Sequence, residues 1–288
     1  MSIRTNFVAI LLTLNSISDA AQTVNFWSAQ GDSTDVNAAL FGGTVFDHLG
    51  GSNYSGYIGE MALIPTEPGI LSDAAPGARG MASMDGDGLY GGARGFVGFC
   101  IDSETPFLTS SSLSDTFDYQ PLSFAAANSR FQADGVNFYI SGSLKRAAYM
   151  IETFYDDARA AGELGGASLQ AGIWEVLYDA NPSVSSESGN YYIRNNIGLT
   201  QQQNDSNAII ALVNSWFTQA ESDNWGGTDY APDDSVIFWV NSENSQTNQS
   251  IISLRVEGTP LISVPEAGSS IMLLGSLSLL MMNRRRPR

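Results

Sequence analysis

Hydrophobic positions change their period twice along this chain. In the first half, short apolar runs rich in aromatic and β-branched residues ("TVNFWSA", "GFVGFCID", "VNFYISG") alternate with Gly, Ser, Asn and Asp. Runs of that length and content predict β-strands separated by turns. The period then becomes helical. In "LKRAAYMIETFYDDARA", Leu144, Ala147, Ala148, Ile151, Tyr155 and Ala158 recur at i, i+3, i+4, i+7 on one face. A second helix is expected in "SLQAGIWEVLYDA", with Leu169, Ile173, Val176, Leu177 and Ala180 on its apolar side. A third is expected in "SNAIIALVNSWFTQAES", where Ile209, Val213, Trp216, Phe217 and Ala220 align. Strand character returns in "SVIFWVNS" and "QSIISLRVEG". Strands, then helices, then strands predict an α+β class with the helices packed on one side. No repeat, long linker or charge block divides residues 22–260, so they read as one domain.

Charge narrows the function. The chain carries 30 acidic and 13 basic residues, a formal net charge of −17. Five of the basic residues (Arg4, Arg284, Arg285, Arg286, Arg288) lie near the two ends, so the body is more acidic still. Such a surface repels phosphate backbones, which argues against nucleic-acid binding. There is one cysteine, Cys100, and one histidine, His48. An internal disulfide framework and a metal site built from several Cys and His ligands are therefore both excluded. No cofactor is implied. A Ser-His-Asp triad would have to use His48, whose surroundings, "TVFDHLGG", read as a turn and not as a catalytic element.

The two ends carry their own signals. Residues 1–20 hold Arg4, an apolar run from Phe7 to Leu14, and small residues at Ser18 and Ala20. This is the layout of an export signal cleaved by signal peptidase after Ala20. At the other end, the uncharged stretch from Ala267 to Asn283 holds 17 residues, slightly short of the roughly 20 that a spanning helix uses. The arginines behind it would stay cytoplasmic by the positive-inside rule.

Val264, Pro265 and Glu266, then a short apolar helix, then Arg284, Arg285 and Arg286 at the extreme end, together resemble the PEP-CTERM sorting signal over residues 264–288. Ala267 stands where that signal has its second proline. The resemblance implies export and anchoring in the inner membrane through the C-terminal helix. It further implies processing by an exosortase-type protease and delivery to the cell surface or beyond. A simple C-terminal anchor predicts almost the same location.

Other polar motifs read blandly. "DGDGLYGG", from Asp85 to Gly92, opens like a calcium loop but lacks the closing glutamate, which leaves a glycine turn. The pairs Asp156/Asp157 and Asp233/Asp234 read as solvated surface. Glycoside hydrolysis would need two carboxylates converging in space, and sequence spacing does not supply that.

Cys100 remains. Most free cysteines are small buried residues. Here Phe99 and Cys100 are followed, after a helix containing "AAYMI", by Gln170, Ala171, Ile173 and Trp174. From about residue 95 to 179 this order resembles the Cys-Gln thioester domains of bacterial surface proteins. Leu169 departs from the usual threonine, and Ala171 with Gly172 shifts the small-residue pattern by one place. The resemblance implies that the Cys100 thiolate attacks the Gln170 carboxamide and expels ammonia, leaving a stored acyl group. A partner's amine or hydroxyl then displaces sulfur and becomes attached. Water must be kept out. Trp174 shares a helix face with Gln170 at i+4 and would shield the acyl carbon; Phe99 would do so more weakly, because in a strand it points to the face opposite Cys100. The alternative is that these residues are ordinary core packing.

Three readings stay open at this point. One is an exported adhesin with a single-turnover covalent step, not an enzyme. The second is a non-covalent structural component of a surface matrix or biofilm. The third is a secreted hydrolase.

Overall fold

The computed structural model describes residues 24–30, 45–48, 52–55, 61–65, 74, 78–83, 94–102, 117–134, 142–185, 192–193, 200–232, 235–241, 250–256 and 259. The expected export signal, the "DGDGLYGG" turn, Asp233/Asp234 and the sorting segment 264–288 lie outside them, as does nearly all of "VNFYISG". Among the described residues no helix is long and apolar enough to cross a membrane.

Among the described residues, ten strands and four α-helices follow one another. Strands β1 (Val24–Gln30), β4 (Met61–Pro65), β5 (Met81–Ser83), β6 (Arg94–Cys100) and β7 (Phe117–Leu122) precede the main helices. Strands β9 (Val236–Asn241) and β10 (Ile251–Leu254) follow them. These seven form one antiparallel sheet in the order β10-β9-β7-β1-β4-β6-β5. A further pairing of β10 with β6 joins the two arms of the sheet. The strands β10-β9-β7-β1-β4-β6 therefore close into a six-stranded ring, with β5 as a flap on β6. Closure removes the exposed edges that an open sheet of this size would carry. Three short strands, β2 (Val45–His48), β3 (Ser52–Ser55) and β8 (Tyr192–Ile193), make a separate small sheet in the order β3-β2-β8. His48, expected in a turn, ends β2 opposite Ser52.

Strand alternation sorts the side chains into two sets. Leu63, Phe96, Cys100, Tyr119, Trp239 and Ile251 share one face by register. That face is the ring's interior, because Phe96 on β6 stacks on Trp239 on β9 at 4.8 Å, reaching across the intervening β10. The opposite set, which includes Phe99, Phe238 and Ile252, faces outward and is buried as well. Outside the ring, Phe238 meets Phe124 at the start of α1 (Phe124–Ala133). The fold is α+β as expected. The first and last strand sections interleave in one ring, because β9 and β10 insert between β7 and β6.

The helices α2 (Ser143–Ala160), α3 (Glu163–Tyr178) and α4 (Thr200–Ser222) pack together. Every apolar position expected on the inner face of α2 is buried. Phe154 of α2 stacks on Trp216 of α4 at 5.3 Å. Helix α3 begins five residues before the expected "SLQAG" start and runs through Gly165 and Gly166. A Cβ at Gly165 would stand 2.0 Å from the Ala158 carbonyl oxygen. Glycine is used there so that α3 can approach the end of α2, which outweighs its low helix propensity. From Ala167 to Tyr178 α3 is buried on every side. A helix so enclosed is the centre of its layer.

Candidate functional site

Helix α3 carries three polar side chains into that enclosure: Ser168, whose hydroxyl donates to the Leu164 carbonyl one turn back, Gln170 at 1% exposure and Glu175 at 0%. Buried polar groups require partners. Glu175 accepts a hydrogen bond from the Ser183 main-chain N–H at 2.9 Å. Gln170 turns to the barrel. Its Oε1 accepts from the Cys100 main-chain N–H at 2.8 Å, and its Nε2 donates to the Cys100 carbonyl oxygen at 2.7 Å. The carboxamide thus grips both main-chain groups of one residue that lies 70 positions earlier.

The sheet explains why Cys100 presents those groups. Ile101 donates to Ser250 on the β10 side, so Cys100, one residue back, directs its own N–H and C=O to the opposite, β4 side. The described pairing of β6 with β4 runs from Phe96 to Gly98 and leaves Cys100 two residues past it. Gln170 takes the place that a neighbouring strand's peptide group would occupy. With the amide fixed to its main chain, Cys100 retains rotation about χ1 as the torsion that moves Sγ relative to the Gln170 carboxamide.

The thiol belongs to the interior set, beside Tyr119 and Ile251. Gly98, two residues earlier on that face, has no room for a side chain. A Cβ there would lie 2.6 Å from Ile251 Cγ2 and 2.8 Å from Leu63 Cδ1. Burial, and then the negative Asp102, hold the Cys100 thiol well above its ordinary range. Burial raises the Tyr119 phenol too, with the neighbouring Cys100 adding to it. The sulfur is thus a neutral thiol at physiological pH. Attack on the carboxamide requires its proton to leave.

Of the expected shielding residues, Trp174 lies on the same face of α3 as Gln170 and is 8% exposed. It has more solvent contact than Gln170 or Cys100, which is 6% exposed. Phe99 takes the position that its place in a strand implies. Neighbouring strand residues point to opposite faces, so its side chain lies outside the ring while that of Cys100 lies inside. Gln170 and the Cys100 main chain are brought together, Trp174 lies one turn along α3 from Gln170, and Phe99 stands behind the strand. Tyr119 and Asp102 were not singled out by sequence. Tyr119 reaches the thiol across the barrel, which no local motif encodes. Asp102 had a local signal, its position two residues after Cys100, where β6 ends.

Among the acidic candidates, Asp156 is on the surface in an ion pair with Arg79 at 3.0 Å. Asp157 is exposed as well.

No family model matches this chain, and no curated protein matches it. Among solved structures, it is similar to the N-terminal domain of the Streptococcus pyogenes pilus tip adhesin Cpa, at 12% identity and a TM-score of 0.38. That similarity covers 80% of this chain and 98% of that one. At this level the likeness decides nothing about function.

Proposed function

We propose that this chain is an exported surface protein whose body attaches covalently to a partner through a Cys100–Gln170 thioester. The observation that carries the reading is the two-bond grip of the buried Gln170 carboxamide on Cys100. In the proposed step, Sγ bonds to the Gln170 carboxamide carbon and the bond to Nε2 breaks. The thiol hydrogen leaves with the amide nitrogen as ammonia. A partner's amine or hydroxyl then opens the bond and restores the thiol, in one turnover. Export and anchoring are supported by the sequence alone, through residues 1–20 and 264–288. Processing by an exosortase-type protease at the Val264-Pro265-Glu266 segment belongs to the same proposal.

Intact mass tests the covalent step. The chain should weigh one ammonia less than its sequence requires and hold no titratable thiol. Methylamine should add its own mass and free one thiol, and Cys100→Ala should show no deficit. A full mass with a reactive thiol in the native protein would end this reading.

A second reading, a structural matrix component with no covalent step, is favoured by one observation. Gln170 also completes the hydrogen bonding of β6 beyond its pairing with β4, a task that an intact amide performs by itself. The same mass measurement separates the two.

A further inference from the structure

Lys145 and Arg146 bring two positive charges to the start of α2, whose first turn holds no acidic residue. The positive end of a helix dipole disfavours cations there, so they do not serve the helix. Nor do they serve ion pairing. In a chain with 30 acidic and 13 basic residues, Arg79 pairs with Asp156 and Arg130 with Asp134. Among the described residues, Lys145 and Arg146 pair with no carboxylate.

Both are held instead over aromatic rings of one turn. The Arg146 guanidinium stands 5.1 Å from the centre of the Trp225 ring and donates to the Ala180 carbonyl oxygen at 2.8 Å. The Lys145 ammonium stands 5.5 Å from the centre of the Tyr230 ring and 3.4 Å from the Gly227 carbonyl oxygen. Tyr149 packs edge-on against both rings, at 5.7 and 5.5 Å. The turn itself is strained. Asn224 and Trp225 have φ of 49° and 52°, a left-handed region that a bulky side chain rarely takes. Such strain persists only where the surroundings enforce it, and it collects at ligand sites. Both cations and both rings keep partial solvent contact.

We propose that Lys145 and Arg146 bind the carboxylate of an acidic sugar, in a glycan whose uronic-acid units are isolated among neutral ones. Each cation is supported by a ring and anchored by a carbonyl oxygen, so it loses little freedom on meeting a carboxylate. Asn224, Thr228 and Asp229 lie exposed on the same turn and offer amide, hydroxyl and carboxylate groups to sugar hydroxyls. A peptide would use an apolar pocket or an open strand edge. Here the ring faces already carry the cations. Asp223 and Asp229 bracket the turn and the body is strongly acidic, so a long run of carboxylates is repelled while a single one is admitted. This site is independent of Cys100 and Gln170.

Isotope-labelled full-length chain would be titrated with methyl glucuronide, methyl glucuronamide, methyl glucoside, sodium acetate and sodium sulfate at constant ionic strength. The readout is the indole N–H resonance of Trp225, assigned by its loss in Trp225→Phe. Methyl glucuronide should move that resonance and saturate with a Kd of about 1–10 mM. The neutral sugars and the two simple anions should each bind about fivefold more weakly or worse, for want of the charge or of the hydroxyls. Lys145→Gln and Arg146→Gln, with Tm confirming the fold, should weaken the glucuronide by a similar factor. If either variant unfolds, glucuronide against glucuronamide on the parent chain makes the same test of charge. Acetate or sulfate binding as well as the glucuronide would reduce this to an unselective anion site and overturn the sugar. Equal binding of the neutral sugars would overturn the role of the cations, and no shift in folded protein would overturn the site. A missing ammonia deficit would end the thioester reading and leave this one standing.

Discussion

Removing the Cys100 sulfur has a stability consequence that depends on whether it is bonded. A thioester between Cys100 and Gln170 would tie together residues 70 positions apart. In the chain-entropy treatment used for disulfides, closing a loop of that length restricts the unfolded state by about 4 kcal/mol. For a body of this size each kcal/mol moves Tm by about 2–4 °C, so losing the link lowers Tm by roughly 8–16 °C. Without a link, Cys100→Ala deletes only a small buried group, worth about 1 kcal/mol, or roughly 2–4 °C. In the Cys100→Ala chain the intact Gln170 amide still grips residue 100, because it bonds to the main-chain N–H and C=O and not to the side chain, whereas in a linked parent Nε2 has left and only the Oε1 half of the grip remains. The assay is calorimetry on parent, Cys100→Ala and methylamine-opened protein, each with its intact mass determined. The opened protein keeps its sulfur and should still lose most of what Cys100→Ala loses. A parent with the ammonia deficit whose Tm falls by less than about 4 °C on opening would refute the cross-link reasoning.

Other outcomes follow from neighbouring contacts. In the Cys100→Ala background, Gln170→Ala removes both partners of buried main-chain groups and should cost a further 2–6 kcal/mol or so, read by urea unfolding. A loss near zero there would mean that the grip is not made in solution. Trp174→Ala should admit water to the acyl carbon. The ammonia deficit would then decay to a full-mass carboxylate faster than in the parent, alongside a loss of about 3–5 kcal/mol in stability. Equal decay rates would remove Trp174 as the shield. Gly165→Ala forces a methyl onto the Ala158 carbonyl and should destabilise by about 1–3 kcal/mol or more, measured by thermal unfolding. Stability should also fall as pH rises past about 8.5, where the ordinary thiol and phenol begin to ionise in the unfolded chain. Tyr119 and the opened Cys100 have raised folded values, so the folded state holds more protons and the slope with pH is negative. Urea midpoints that decline more steeply after methylamine opening than before would bear this out. Identical slopes would count against it.

Much of the local structure was legible in the sequence because it is local. The apolar face of α2 repeats within a few residues, and burial follows that repeat from Leu144 to Ala158. The same holds for the inner face of α4, where Ile209, Val213, Trp216, Phe217 and Ala220 are all buried. Helix α1 was not anticipated, because "FAAANSRFQA" carries little amphipathic signal. Its start is set by the Ser123 side chain, which accepts from the Ala126 N–H at 3.3 Å. The early start of α3 was hidden by Gly165 and Gly166, whose meaning depends on a helix packed against them.

Sequence by itself determined the candidates: one thiol in the chain, one glutamine four residues before a tryptophan on an apolar helix, and an acidic body between two signal-like ends. It also excluded disulfides and sites made of several Cys and His ligands. Tertiary structure decided whether the glutamine reaches Cys100. That depends on β10 returning to β6 from more than 140 residues away and on β6 passing beyond its pairing with β4. It depends equally on α3 lying close enough for a buried carboxamide to fill the vacancy. Those are questions of long-range register, settled by the burial of the whole barrel and helix layer. A carboxamide shut into an apolar core must find hydrogen-bond partners, and only the assembled fold shows that they belong to Cys100.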